Sequence, residues 1–297
     1  EAGESKAEAT GEDGGALAGG GGRRRREKID GEPAKGRGAE EGDVGRFGGG
    51  VVTDAEYGDI ETGASEGIGA ALAREWAARG ARLILSARSK DTLEHLATSL
   101  GPDHIAVPAD VGDRASLDAA AAQIAGIGPL DRIVHLAAIY DPGKVADLDP
   151  DKAAQIVSVN LTGSFHIAQV GLPLLRAGGQ LALCGSVAGY IGLPQGQIYS
   201  ATKAGVINLT ESLRSELAGR FDVRLISPGF VDTRLTQRND FDMPAMVTPE
   251  QAAVAIADGL TGRKFEVHFP RRFTLGVKLL GLLPYWLALR LTGRLAR

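Results

Sequence analysis

Apolar and polar positions along this chain follow two alternating rhythms. Short apolar runs near 83–86, 105–107, 132–137, 180–184, 223–226 and 265–269 read as strands covered on both faces. The stretches between them, near 69–79, 90–99, 115–125, 151–176, 199–218 and 249–260, carry apolar residues at helical spacing. Regular alternation of strand and helix predicts an α/β fold: a doubly wound parallel sheet in a single domain, built by right-handed crossovers. Thr248-Pro-Glu-Gln251 marks one helix start, with a capping threonine, proline at the first helical position and glutamine three residues after the cap. Ligands of such sheets bind at the carboxyl ends of the strands.

The pattern fails at both ends of the chain. The first fifty residues are rich in Gly, Ala, Glu and Arg, and Phe47 is their only aromatic, so they cannot bury enough surface to offset chain ordering. A disordered leader over 1–57 is expected, either a genuine tail or an upstream region joined in the wrong reading frame, followed by a domain over 58–271. The residues before Thr62, Glu56-Tyr-Gly-Asp-Ile-Glu61, make a poor central strand because Asp59 and Glu61 would share one buried face. Val51-Val52 lie too far upstream to serve without a bulge. Over 272–297 an apolar, basic tail is expected to be helical; Leu279, Leu280, Leu282, Leu283, Trp286, Leu287 and Leu289 lie among Arg271, Arg272, Arg290, Arg294 and Arg297. Lys278 and Pro284 make it a poor membrane span, so it reads either as a helix packed on protein or as an interfacial helix on an anionic membrane.

Composition removes several classes of function. One cysteine excludes an intramolecular disulfide framework, and the five histidines show no metal-ligand spacing, so no metal site is expected. A net charge of −4 without a basic, aromatic-interleaved patch argues against nucleic acid as a partner. No secretory apolar segment is seen, and a cytoplasmic location fits.

The chemistry lies in two clusters. Tyr199 and Lys203, in Tyr199-Ser-Ala-Thr-Lys203, stand one helical turn apart and thirteen residues after Ser186. An ammonium beside a phenol favours phenolate, and a tyrosine so placed can exchange a proton with a carbonyl or alcohol oxygen near neutral pH. Upstream, Thr62-Gly-Ala-Ser-Glu-Gly-Ile-Gly69 is a glycine turn running into a helix, which suits the close approach of a dinucleotide pyrophosphate.

With Asp110-Val111, Asn160 in VNLTG, Ser186 in GSVAG and Pro228-Gly-Phe-Val-Asp-Thr233, these motifs resemble the short-chain dehydrogenase/reductase family in its single-domain branch, from Thr62 to about Thr233. The resemblance implies a Rossmann-type sheet, a nicotinamide cofactor and a catalytic tetrad of Asn160, Ser186, Tyr199 and Lys203. Tyr199 would be the proton donor in reduction, and Lys203 would lower its pKa and bond the nicotinamide ribose. Ser186 would hold the substrate oxygen, and Asn160 would anchor a relay water. It further implies cofactor contacts from Gly63, Ser65, Gly67, Ile68, Gly69, Arg88, Asp110, Val111, Ala137, Tyr199, Lys203, Pro228, Gly229, Val231 and Thr233. Ala87 stands where NAD-selective members often carry Asp, and Arg88 follows, which favours NADP over NAD although NAD is possible. The substrate would be a small carbonyl compound or alcohol. Apolar residues between Leu235 and Val247, including Phe241, Met243 and Met246, resemble the family's substrate lid and suggest a lipophilic one. Homo-oligomers through the long helices are implied as well.

The chain departs from the family at His135-Leu-Ala-Ala138, where Asn-Asn-Ala-Gly is usual. His135 reads as a structural substitution, and the change weakens the expected support of the cofactor pocket. A nucleotide-binding protein without catalysis, a redox sensor or scaffold, is the alternative reading.

Overall fold

The computed structural model of the protein describes residues 50–53, 67–238 and 243–293, all within one compact unit, Gly45–Arg297. The expected disorder of the leader up to residue 49, the Glu56–Glu61 segment, Gly63 and Ser65 of the glycine turn, Phe241, Arg294 and Arg297 lie outside the described residues.

The strands are β1 (Gly50–Thr53), β2 (Leu83–Ser86), β3 (Ile105–Ala106), β4 (Leu130–His135), β5 (Leu175–Cys184), β6 (Asp222–Pro228) and β7 (Glu266–Phe269). They form one parallel sheet in the order β3-β2-β1-β4-β5-β6-β7. Strand order reverses between β1 and β4, which opens a crevice at their carboxyl ends. The helices are α1 (Ile68–Ala78), α2 (Lys90–Leu100), α3 (Arg114–Ala125), α4 (Pro150–Val157), α5 (Gly163–Gly171), α6 (Gln197–Glu216), α7 (Pro249–Thr261), α8 (Arg271–Gly281) and α9 (Tyr285–Thr292).

The first strand is not where the sequence pattern suggests. Gly50–Thr53 takes the central place, with Val51 in register with Ile84 of β2 and Ile133 of β4. These residues therefore belong to the sheet, although the sequence boundary at residue 57 puts them in the leader. A central parallel strand has no solvent-facing side for Asp59 and Glu61, whereas Gly-Val-Val-Thr carries β-branched residues and no charge. Thirteen residues then separate Thr53 from Gly67.

Period-two alternation sends neighbouring residues of each strand into different cores. Leu83 and Leu85 of β2 pack with α1, α2 and α7, while Ile84 joins the opposite core with Leu117 and Ile124 of α3 and Val206 of α6. Each fully buried aliphatic side chain contributes about 1.5–3 kcal/mol. Below the site, Arg224 is buried and its guanidinium is held by Asp222 (2.8 and 2.9 Å) and the Gly262 carbonyl (2.7 Å). Burial raises the Asp222 pKa, but hydrogen bonds from Arg224, Gln180 and Arg214 outweigh it and hold the carboxyl at about 2.

The helix expected to run unbroken from 151 to 176 is interrupted. After α4, residues Ser158–Thr162 form a π-helical turn before α5 begins. Asn160 sits inside that turn. A π turn skips the ordinary i→i+4 ladder and reorients carbonyls locally, and such turns recur at functional sites. The helix at Thr248 starts as the sequence reads, with both halves of the capping box formed.

Candidate active site

Residues from six segments meet at the carboxyl edge of the sheet. Gly67 is the N-cap of α1 and has no side chain with which to cap it, and the first turn carries no acidic residue. Gly67 and Gly69 are buried, Ile68 partly so. Past β2, Ala87 is buried and Arg88 exposed. Past β3, the Gly112 N–H donates to Asp110 Oδ1 (2.8 Å) and the Asp110 N–H to Ser116 Oγ (3.0 Å), so this loop is fixed locally; Val111 is buried. Ala137, just past β4, is 1% exposed. Pro228 ends β6, and the Gly229 N–H donates to the Phe269 carbonyl (2.7 Å). A side chain at Gly229 would meet Phe273 at 3.0 Å and the Phe269 carbonyl oxygen at 3.2 Å, so this turn is tightly packed. Val231 is buried and bridges to Val247, and the Thr233 N–H donates to Thr236 Oγ1 (3.0 Å).

The four tetrad candidates also come together. Ser186 leaves β5 with extended backbone, and its Oγ accepts the Ala188 N–H (3.1 Å). The Ser186 side chain lies close enough to the Tyr199 hydroxyl to draw its pKa down. Lys203 is 2% exposed; its Nζ donates to the Cys184 carbonyl (2.9 Å) and stands 5.6 Å from the centre of the Tyr199 ring. Asn160 is fully buried. The Ile139 N–H donates to its Oδ1 (2.8 Å), and its Nδ2 donates to the Ile139 carbonyl (2.9 Å) and to Thr202 Oγ1 (3.2 Å). Its side chain is thus spent on clamping the loop after β4 to α6. Its backbone carbonyl accepts from Ser164 Oγ (2.6 Å).

Electrostatics here run against the sequence expectation that the ammonium draws the phenol down. Burial raises the Tyr199 hydroxyl well above the ordinary phenol value, Cys184 and Tyr140 add to the rise, and the Ser186 side chain opposes it. Burial likewise pushes the Lys203 amine below its ordinary value, with Cys184 opposing. Desolvation favours the neutral form of each group, and it is the largest cause of both shifts.

Several participants carry no motif that sequence reasoning could have read. Tyr140 packs edge-on against Tyr199 with ring centres 4.9 Å apart, and Thr202 passes the Asn160 bond on to the Tyr199 carbonyl (2.8 Å). Thr236 is buried and ties the Val231 loop through its donated bond to the Val231 carbonyl (2.6 Å). Cys184 holds Lys203 Nζ through its carbonyl, and its charge contributes to the shifts of Tyr199 and Lys203. Tyr140 and Cys184 stand at or just beyond strand ends, the one signal that could have marked them.

Residues 60–243 match the family model for short chain dehydrogenase. This chain belongs to the short-chain dehydrogenase/reductase family. An uncharacterized oxidoreductase of Staphylococcus epidermidis is 33% identical over 207 residues, covering 68% of this chain and 90% of that protein. The crystal structure of an alcohol dehydrogenase from the archaeon Thermococcus sibiricus, complexed with 5-hydroxy-NADP, is similar with a TM-score of 0.65 and 26% identity, covering 74% of this chain and 95% of the other. A short-chain dehydrogenase/reductase from Burkholderia phymatum, in complex with NAD, shares the fold at a TM-score of 0.67 and 23% identity, over 78% of this chain and 92% of its own.

As a short-chain dehydrogenase/reductase the protein is an NAD(P)-dependent oxidoreductase acting on small molecules. The residues present fit such a nucleotide. The uncapped, acid-free N-terminus of α1 suits a pyrophosphate, and the buried Ala87 leaves the ribose pocket without a carboxylate at that position. The family's first asparagine after the fourth strand is here His135, 1% exposed at the end of β4. Burial, and after it the Lys203 charge, hold its imidazole neutral, down to about 3. A neutral, fully enclosed imidazole is consistent with a structural substitution.

Proposed function

We propose that the protein interconverts a ketone or aldehyde and its alcohol, with NADP(H) preferred over NAD(H). The observation that carries this reading is the buried Ser186–Tyr199–Lys203 cluster, at the same carboxyl edge of the sheet as the glycine start of α1. Gly67, Ile68 and Gly69 would hold the pyrophosphate, Arg88 the 2′-phosphate, and Asp110 and Val111 the adenine. Ala137, Pro228, Gly229, Val231 and Thr233 would line the nicotinamide half. The bound nucleotide supplies the hydride. Tyr199, kept protonated across the neutral range, presents its proton to the carbonyl oxygen, and Ser186 Oγ fixes that oxygen by a hydrogen bond. Lys203 holds the ribose and stands ready to resupply the proton, with the Asn160 carbonyl as the anchor of the path behind it.

A lipophilic substrate is part of this reading. The segment ending at Val247 is tied to the Phe230–Asp232 loop by paired backbone bonds (3.0 and 2.9 Å), yet Met246 stays 40% exposed and so available to an apolar ligand. Assembly into a homo-oligomer through α5 and α6 also belongs to it, supported by Phe165, 49% exposed on α5, as does a cytoplasmic location.

Titration of the purified chain with NADPH and NADH, followed by nucleotide fluorescence, tests the cofactor choice. Arg88→Ala is expected to weaken NADPH about tenfold or more, through the loss of a charge-assisted bond, and to leave NADH nearly unchanged. Equal losses for both nucleotides would remove Arg88 from the phosphate. Tyr199→Phe is expected to keep NADPH affinity and to lower turnover across a panel of ketones and aldehydes by about 10²–10⁴-fold, the usual worth of a positioned acid.

A further inference from the structure

The C-terminal helices carry a surface that the reaction does not use. The inner side of α8 is fastened to the domain. Thr274 is fully buried, with its hydroxyl 2.5 Å from His268 Nδ1, and Phe273 packs on Phe230 at 5.4 Å between ring centres. Lys278 pairs with Glu266, whose other carboxylate oxygen accepts the Tyr190 hydroxyl. In α9, Ala288 and Thr292 are buried. With that side fixed, Leu275, Leu279, Leu282, Trp286 and Leu289 are left outward, at 50%, 64%, 80%, 71% and 57% exposure, and Tyr285 at 83%. Leu275 and Leu279 stand four residues apart on α8, and Trp286 and Leu289 three apart on α9, in each case the spacing of one helical face. The docking of the inner side prevents this stripe from folding back onto the core.

Charge selects what covers it. The whole chain is acidic, at −4, but residues 267–297 hold six basic side chains and no acidic one. Arg271, Arg272 and Arg290 are exposed on the same two helices as the stripe. A second copy docking through this face in a symmetric pair would set arginine against arginine. A surface of phosphates over acyl chains satisfies both features, with tryptophan and tyrosine at the boundary. Among the described residues, no helix is long and apolar enough to cross a membrane.

We propose that α8 and α9 lie flat on a bilayer that contains anionic lipids. The leucine and tryptophan stripe enters the acyl boundary, and the arginines meet the phosphates. Because Phe273 packs on Phe230 and Lys278 reaches the Glu266–Tyr190 pair, this places the loop after β6 and the turn after Ser186 close to the bilayer.

The test floats the purified full chain on a sucrose gradient with vesicles of phosphatidylcholine alone and of phosphatidylcholine mixed with phosphatidylserine. The chain is expected to rise with the mixed vesicles, less so at high salt, and to stay at the bottom with the neutral ones. The pair of substitutions Leu282→Asp and Trp286→Asp is expected to cut the floated fraction about tenfold and to leave the thermal midpoint unchanged, since both side chains already face water. A second readout needs no variant. Of the two tryptophans, Trp76 is buried at 5% exposure and Trp286 is not, so Trp286 emission should shift to the blue and lose access to iodide when mixed vesicles are added. A wild-type chain that stays at the bottom with mixed vesicles and shows no shift overturns the proposal. So does equal flotation on neutral vesicles, or a doubly substituted chain that floats as well as wild type. An absence of flotation together with an oligomer that the double substitution dissociates, seen by light scattering, would make the stripe a contact between copies instead.

Discussion

His135 ends β4, buried and within the field of Lys203, and its chemistry differs from that of the asparagine usual in the family. In the fold it stays neutral down to about 3, because burial and then Lys203 oppose its charge. Once unfolded it takes up a proton near its ordinary value of about 6.5. The depressed value therefore leaves stability intact above about pH 6.5 and removes it progressively as pH falls toward 3, at up to about 1.4 kcal/mol per pH unit. His135→Asn should flatten that slope. Urea midpoints measured over the acid range would read it, and identical slopes for both chains would show that the histidine does not carry the sensitivity. At this scale the sequence was informative about which residues gather and less so about their state. Tyr199, Lys203 and Ser186 were legible from spacing. That Tyr199 and Lys203 are both pushed toward neutrality depends on how deeply they are enclosed, and no local motif records that.

Helices and strands carry the next level of control. The turn after Ser186 lies directly on α6, and a methyl group at Gly189 would come within 2.7 Å of the Lys203 carbonyl carbon and 2.8 Å of the Ala204 nitrogen. Backbone atoms cannot step aside as a side chain can. Gly189→Ala is expected to lift the turn away from α6, to cost about 1–3 kcal/mol of stability and to lower turnover at least as much as it lowers nucleotide affinity. Paired melts and kinetics would check this, and full activity with full stability would show that the turn is free to move. Most elements were readable because their periods are strong; the π-helical turn at Asn160 was not. Its apolar pattern runs straight through, and what distinguishes it is Asn160 clasping Ile139 and Thr202, partners far away in sequence.

Across the whole molecule the strand and helix order was legible from the alternating pattern, and the position of the first strand was not. Motif spacing argued for a strand next to Thr62, whereas the sheet takes Gly50–Thr53 as its central strand. A chain begun at Thr62 would lose the strand between β2 and β4. It should give no cooperative thermal transition where the full chain does, and a normal melt from the shortened chain would mean that another segment can fill the gap. That same strand shapes how the protein comes to be folded. One of its edges meets β2, the next strand in sequence, but the other waits for β4, so during synthesis the middle of the sheet stays half-paired until the chain as far as His135 has emerged. Long-range parallel pairing is slow to find. While β1 shows an open edge, the growing chain offers a template for wrong pairing.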